Sequence, residues 1–184
     1  MTQQEELDQL KQEIHSQDWE RMRAAAYQLG KIGGDKVLGF LLPLLKSKDP
    51  ILRNCAALAL KDIKDNRAVE PLLEAVFKRE NHKYNGTMVF ALESLDCSQN
   101  LKEIFRILFY ESYEAKISAY EILSEQEFEF SEEDLHEINQ MWEDINLHPE
   151  KCPNYEYEEV PKMIQNAVEG YMSYLAEKIK STNR

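Results

Sequence analysis

Residues 21–45 read RMRAAAYQLGKIGGDKVLGFLLPLL, and residues 52–76 read LRNCAALALKDIKDNRAVEPLLEAV. The two segments match without a gap at an offset of 31 residues, and their alanine pairs and several of their leucines and isoleucines coincide. A fixed period of about 20–50 residues is typical of stacked supersecondary units, each of which buries its apolar side against its neighbours. Because the apolar residues recur at helical spacing, the sequence predicts stacked pairs of α-helices.

Helix start signals surround the two segments. Thr2 and Glu5 predict a capping box that opens a first helix, because each side chain can accept a hydrogen bond from a free backbone N–H group. Asp18 and Asp49 are expected to cap two further helices, since an aspartate accepts hydrogen bonds from the first helical turn. Another helix is expected to start at Asp35, after the glycine pair Gly33-Gly34. The array therefore begins with an additional helix, which we expect to cap it.

More divergent segments follow. Apolar residues at helical spacing predict a third pair of helices over residues 88–108 and a fourth over residues 117–142. A proline-bearing segment, residues 147–157, interrupts the pattern, and a final helix is predicted over residues 158–180. The last unit of a repeat array needs a partner for its apolar side, so this helix is expected to cover it.

The second segment resembles the HEAT repeat, in particular the short bacterial form that also occurs in phycobilisome-lyase-type proteins. The matching residues are Leu52-Arg53, the pair Ala56-Ala57 and the segment 65–73. The resemblance extends more loosely over residues 18–125. It implies a bacterial helical repeat protein that acts as an interaction surface, although a fold by itself does not determine a function.

The repeat and the resemblance together predict an all-α fold. We expect a right-handed α–α superhelix of about four helical pairs with a capping helix at each end, in a single domain over residues 1–184. Its predicted parts are an N-terminal capping helix at residues 1–16, HEAT-like repeats at 18–146, a loop at 147–157 and a C-terminal capping helix at 158–180.

Charge is distributed unevenly along the 184 residues, whose net charge is −12. Residues 1–80 hold 13 basic and 13 acidic residues, whereas residues 81–184 hold 9 and 21. Between Glu111 and Glu159 there are 16 acidic residues and only Lys116 and Lys151 to balance them. Such acidity argues against nucleic acid and against an anionic membrane as partners, because both carry negative charge.

A cytoplasmic location is expected. The sequence has no apolar run of about 18 residues that would span a membrane, and its first residues are acidic and polar, unlike a secretion signal. Three widely spaced cysteines form no recognisable disulfide framework. We expect Cys55 and Cys97 to pack as small apolar groups.

Candidate catalytic and metal-binding patterns are incomplete. His136 and Glu137 begin like a metalloprotease helix, but Gln140 occupies the position of the second zinc ligand. His148 and Cys152 have no second pair at metal-site spacing. Since no serine lies in a nucleophile-elbow context either, the sequence predicts a non-enzymatic protein with no catalytic residue, metal or cofactor.

Two sets of residues are candidates for partner binding, and the alternative for both is an ordinary solvated helix face. By resemblance, the second helix of each pair lines the concave side of the array. That expectation selects Lys36, Arg67, Glu70, Glu74, Lys78, Glu103 and Arg106. The second set lies in the acidic segment, where aromatic residues alternate with carboxylates, and consists of Tyr113, Tyr120, Glu121, Phe128 and Phe130.

The favoured function is a scaffold that binds a protein or peptide, with a basic partner preferred, through one or both of these surfaces. One alternative is an acidic immunity or inhibitor protein that neutralises a basic enzyme. Another is an accessory enzyme subunit of the kind found among phycobilin lyases or HEAT-like DNA glycosylases. A positive patch on the concave side would favour the glycosylase, because that enzyme must hold DNA.

Overall fold

The computed structural model describes the backbone of residues 2–182 and the side chains of residues 2–174. Residues 2–182 contain ten α-helices, joined by turns and short 3₁₀ segments, and no strand. The predicted all-α class is therefore confirmed. The chain divides into two compact units, unit 1 at residues 1–96 and unit 2 at residues 97–184. The single-domain arrangement stays a prediction.

Unit 1 contains six helices. They are α1 (Gln3–Glu13), α2 (Trp19–Ile32), α3 (Gly34–Leu41), α4 (Pro50–Ile63), α5 (Val69–Val76) and α6 (Gly86–Leu92). A 3₁₀ segment at Leu42–Lys46 continues α3, because Pro43 lacks the N–H group that a longer α-helix would use. Helix α2 packs along α4, α1 packs against α2, and α6 packs against α4 and α5.

Most predicted helix starts of unit 1 are confirmed. The Thr2 N–H group donates to Glu5 Oε2 at 2.7 Å, and the Glu5 N–H group donates to Thr2 Oγ1 at 3.2 Å. Asp18 and Asp49 cap α2 and α4, because each carboxylate accepts hydrogen bonds from two backbone N–H groups of the first helical turn. The start predicted at Asp35 is wrong by one residue, because the turn before α3 needs a positive φ that glycine adopts readily.

That turn is built by two glycines. Gly33 has a φ of 59° and Gly34 a φ of 78°, and α3 begins at Gly34 without a side-chain cap. The carboxylate of Asp35 is then free of any capping role and lies 2.6 Å from Arg67 Nη2. The turn therefore links the first repeat to the second through an ion pair.

The repeated positions form the core of unit 1. The alanine pairs of α2 and α4, Ala25-Ala26 and Ala56-Ala57, are buried. Gly30 lies where α2 meets α4, and a Cβ atom added to it would lie 2.9 Å from Asp62 Cβ and 3.1 Å from Ala59 O. The small residues that define the repeat are thus the residues that let two neighbouring helices approach closely.

Unit 2 contains the remaining four helices, α7 (Leu101–Tyr110), α8 (Tyr113–Glu125), α9 (Glu132–Leu147) and α10 (Glu159–Thr182). Helix α7 packs along α8 and against α9, and α10 packs against α8 and α9. A 3₁₀ segment at Pro149–Lys151 and several turns occupy the predicted break. The third pair predicted from the sequence is divided, because α6 ends unit 1 and α7 begins unit 2.

A lysine lies in the interior of unit 2. Lys116 is fully buried, and its ammonium group donates to Leu108 O at 2.9 Å and to Phe109 O at 2.8 Å. These carbonyl groups lie in the last turn of α7, the end of a helix that favours positive charge. Cys152 Sγ lies 3.5 Å from the same nitrogen. Burial lowers the pKa of Lys116, because it penalises the charged form.

Candidate functional site

Three of the predicted aromatic residues meet in one cavity of unit 2. Tyr120, Phe128 and Phe130 line it together with Tyr171 and Tyr174 from α10, and its volume is about 590 Å³. We call this cavity the aromatic groove. The other lining residues are Leu123, Ser124, Gln126, Glu127, Asn166, Ala167 and Gly170.

The segment after α8 places the two phenylalanines. Gln126 ends α8 with extended backbone angles, and residues 127–130 belong to no helix. Phe128 and Phe130 are half-buried, whereas Glu127 and Glu129 are exposed. The Glu129 N–H group donates to Ser98 O at 2.9 Å, which holds the segment to the residues before α7. The alternation of phenylalanine and glutamate in the sequence thus becomes an alternation of half-buried rings and exposed carboxylates.

Tyr171 is the centre of the ring cluster. Its ring centroid lies 5.7 Å from that of Phe130, 6.2 Å from that of Phe128 and 5.4 Å from that of the buried Phe105. Its hydroxyl group donates to Leu123 O at 3.3 Å. Burial, assisted by Tyr174, raises the pKa of Tyr171 to about 12. Tyr171 is therefore a neutral, fixed wall of the aromatic groove at any ordinary pH.

Tyr174 forms the open edge of the aromatic groove. Its ring centroid lies 5.5 Å from that of Phe130, and 55% of the residue is exposed. Phe130 thus packs between Tyr171 and Tyr174, in the tilted and edge-on arrangements that aromatic pairs prefer. An entering group would meet the rings of Phe130 and Tyr174 first.

The described residues that line the aromatic groove carry a carboxylate and no basic group. Glu127 is the one charged residue among them. Of the two lysines within residues 111–159, Lys116 is buried and Lys151 binds Asp144, with its ammonium group 2.7 Å from Oδ1. Glu121 is exposed on α8, close in sequence to Tyr120. The acidic segment therefore keeps its negative charge at the surface.

The remaining candidates in unit 2 are Tyr113, Glu103 and Arg106, and none of them lines the aromatic groove. Tyr113 packs edge-on against Tyr157, with the ring centroids 5.5 Å apart, and does not line the aromatic groove. On α7, Glu103 is half-buried and Arg106 is exposed. Nearby in unit 2, Lys102 Nζ lies 3.2 Å from Asp134 Oδ1.

The second-helix candidates of unit 1 take part in contacts between neighbouring repeats. Arg67 binds both Asp35 and Asp65 at 2.6 Å, and the hydrogen bonds from its guanidinium group lower the pKa of Asp65 to about 2. Glu74 Oε2 lies 3.6 Å from Lys46 Nζ.

Three further candidates belong to the same unit. Lys36 donates to Gln4 Oε1 at 3.3 Å, Glu70 is exposed and Lys78 is half-buried. Arg67 and Glu74 form ion pairs with residues of the neighbouring repeat, Asp35 and Lys46. Part of the charged candidate set of unit 1 therefore contributes to contacts between repeats.

A second cavity lies in unit 1, and sequence reasoning missed it. It has a volume of about 490 Å³ and is lined by residues of α2, α4 and α6, including Tyr27 and Phe90. Both aromatic residues are exposed and lie off the apolar face of their helices. Lys31 Nζ lies 4.4 Å from the ring centroid of Tyr27, and Lys61 Nζ lies 4.7 Å from that of Phe90. These rings are therefore covered by cations of the same unit.

The cysteines behave as small apolar groups. Cys55, Cys97 and Cys152 are buried and form no disulfide with one another, and burial was predicted for the first two. Burial raises the pKa of both the Cys55 and the Cys152 thiol. No group of three or more metal-binding side chains occurs within the described residues. Within that same part of the chain, every helix is too short or too polar to cross a bilayer.

Comparison with known proteins identifies the repeats. The family model for HEAT repeats matches residues 7–84, which confirms the predicted resemblance for that part of the chain. Among solved structures, a designed armadillo repeat protein is similar at 16% identity and a TM-score of 0.32, covering 89% of this chain and 98% of its own. No curated protein matches.

Proposed function

Because residues 7–84 are HEAT repeats, we propose that the protein is an interaction scaffold that binds a protein partner and has no catalytic role of its own. Repeat arrays present extended surfaces, since each unit contacts only its neighbours and leaves the outer helix faces free. The free buried thiols support the cytoplasmic location expected from the sequence. The site, and not the fold, must indicate the partner.

The observation that carries this proposal is the segregation of charge between the two units. Unit 1 holds 14 basic and 15 acidic residues, whereas unit 2 holds 8 and 19, a net charge of −11. Opposite charge accelerates encounter and rejects unsuitable partners more than it adds affinity. We therefore propose that the partner is a basic protein or peptide and that it binds unit 2.

Affinity capture with matched charge variants tests the proposal. The test variant combines Glu125→Gln, Glu127→Gln and Glu129→Gln, three exposed residues of which Glu127 lines the aromatic groove and the other two flank Glu127 in the sequence. The control combines Glu6→Gln, Glu20→Gln and Glu80→Gln, which are exposed in unit 1 and change the net charge by the same amount.

A basic protein retained by the wild type and the control at low and moderate salt, but depleted by the test variant, is the expected result. Its purified form should then bind with an affinity that falls as salt rises, because salt screens exposed charges. No captured protein at either salt concentration would refute the scaffold. Equal capture by both variants would refute the role of unit 2.

The same acidity favours a second candidate, an inhibitor of a basic enzyme. Residues 111–159 carry 16 acidic residues, and the two lysines of that segment are buried or paired. Such a surface would compete with a polyanionic substrate for a basic active site. If the captured partner is an enzyme whose turnover stops at one equivalent of this protein, it is an inhibitor. If turnover is unchanged, the scaffold function applies.

A further inference from the structure

We propose that the aromatic groove binds one cationic side chain, an arginine in preference to a lysine, presented by a basic partner. This inference deepens the proposed function and rests on it for the identity of the partner as a protein. The ligand chemistry follows from three properties of the aromatic groove: the arrangement of its rings, the cations that cover comparable rings elsewhere, and the carboxylates at its edge.

The rings provide several faces within a short distance. The centroid of Phe130 lies 5.5 Å from that of Tyr174 and 5.7 Å from that of Tyr171. A cation is attracted to an aromatic face within about 6 Å of the ring centroid. A group that enters beside the exposed Tyr174 can therefore approach more than one ring. The planar guanidinium group of arginine also stacks on a ring, which the ammonium group of lysine cannot do.

Exposed aromatic rings in unit 1 have a cationic side chain of the same unit above them. Arg23 lies 5.2 Å from the ring centroid of Trp19, and Lys61 lies 4.7 Å from that of Phe90. Among the described residues that line the aromatic groove, there is no lysine, arginine or histidine. Within the described lining, the rings of the aromatic groove therefore have no cation of their own, unlike the exposed rings of unit 1.

Carboxylates at the edge complete the preference for a cation. Glu127 lines the aromatic groove, and Glu125 and Glu129 are exposed on either side of it in the sequence. A carboxylate can accept two hydrogen bonds from one guanidinium group, a geometry that an ammonium group does not match. The same carboxylates repel an anionic ligand. A neutral apolar side chain would leave the charge of these carboxylates unpaired.

Two peptide pairs test the inference directly on the full-length protein. Each peptide is a glycine–serine chain with two flanking lysines and one central residue. The central residue is arginine or its neutral isostere citrulline in one pair, and lysine or the neutral norleucine in the other. Titration calorimetry measures Kd. We expect the arginine peptide to bind about tenfold more tightly than the citrulline peptide, and lysine to exceed norleucine by a smaller ratio.

Variants then assign the discrimination to the rings. Phe130→Leu keeps an apolar side chain but removes the aromatic face, so the arginine-to-citrulline ratio should fall to about threefold or less. Tyr174→Leu, at a more exposed position on α10, should act in the same direction even if Phe130→Leu disturbs folding. Phe90→Leu, which removes an exposed ring of unit 1, is the control and should leave the ratio unchanged.

The outcomes separate this inference from the proposed function. Equal binding of arginine and citrulline peptides, or an unchanged ratio in both Phe130→Leu and Tyr174→Leu, overturns the cation site. Capture of a basic protein that depends on Glu125, Glu127 and Glu129 but not on the rings keeps the scaffold and rejects the groove. A ring-dependent preference for arginine with no captured protein supports the groove and counts against the scaffold.

Discussion

The packing of α2 on α4 predicts opposite effects for two glycine substitutions. Gly30→Ala would place a Cβ atom 2.9 Å from Asp62 Cβ and 3.1 Å from Ala59 O, distances at which one helix must move. Overpacking of this kind costs about 2 kcal/mol, whereas alanine in place of glycine within a helix contributes about 1 kcal/mol of stability. We therefore expect Gly30→Ala to lower the free energy of unfolding by about 1 kcal/mol.

Gly39→Ala is the matched control. Gly39 lies within α3, and a Cβ atom added to it would meet nothing within 4 Å. The substitution should therefore raise the free energy of unfolding by about 0.5–1 kcal/mol through the loss of backbone freedom in the unfolded chain. Urea unfolding followed by far-UV circular dichroism measures both values, and an unchanged m-value shows that the same surface is exposed. If Gly30→Ala stabilises the protein as much as Gly39→Ala does, the account of this interface is wrong.

Three further predictions concern unit 2. Lys116→Met should lower the free energy of unfolding by about 2 kcal/mol, because it leaves the buried carbonyl groups of Leu108 and Phe109 without the donor that Lys116 provides. Lys162→Met at the surface should have little effect in the same urea assay. Tyr171 has a pKa of about 12 in the folded state, against an ordinary tyrosine value of 10.0, so its contribution to stability is complete below pH 10 and should be lost between pH 10 and 12. Thermal unfolding of the wild type and of Tyr171→Phe between pH 10 and 12 should show that the stability of the wild type decreases more steeply with pH. The capping hydrogen bonds from Ser131, followed by the contact with Lys102, lower the pKa of Asp134 below 3.8, so stability should fall as the pH falls through that lowered value. Asp134→Asn should be less stable than the wild type at neutral pH and less sensitive to acid, and equal acid sensitivity in the same thermal assay would contradict this.

The fold was predictable wherever a local rule acts on nearby residues. Capping by Asp18 and Asp49 involves backbone groups two or three residues away, and the alanine pairs repeat at a fixed offset. The start of α3 was misplaced because Asp35 satisfies the same local rule, while the two glycines before it adopt positive φ values. The division between α6 and α7 follows from packing between distant residues, for which the sequence pattern carries no signal.

The candidate site was predictable in part. Tyr120, Phe128 and Phe130 lie within a single acidic segment, and their aromatic character singles them out. Tyr171 and Tyr174 are more than 40 residues away on α10, where helical spacing assigns Tyr171 to a buried face. Only the packing of α10 against α8 brings the two groups together. The alternation of glutamate and phenylalanine over residues 127–130 was the signal that could have predicted that Phe128 and Phe130 are more buried than Glu127 and Glu129.

The two units differ in how far their basic residues balance their carboxylates, and this difference has an energetic consequence. In unit 1, Arg67, Lys46 and Lys61 lie beside carboxylates or rings of the same unit. In unit 2, Lys102, Lys151 and Lys162 are paired in the same way, but Lys116 is buried and the unit holds only 8 basic residues against 19 acidic ones. The unit therefore carries an excess of like charge that repels itself and weakens the compact state. A basic partner of the kind proposed above would relieve that repulsion and would stabilise the folded chain by mass action. Salt should do the same to a smaller extent by screening, so the stability of unit 2 should increase with ionic strength more than that of unit 1. The proposed binding role would account for this excess charge, which a face that contacts only solvent does not require.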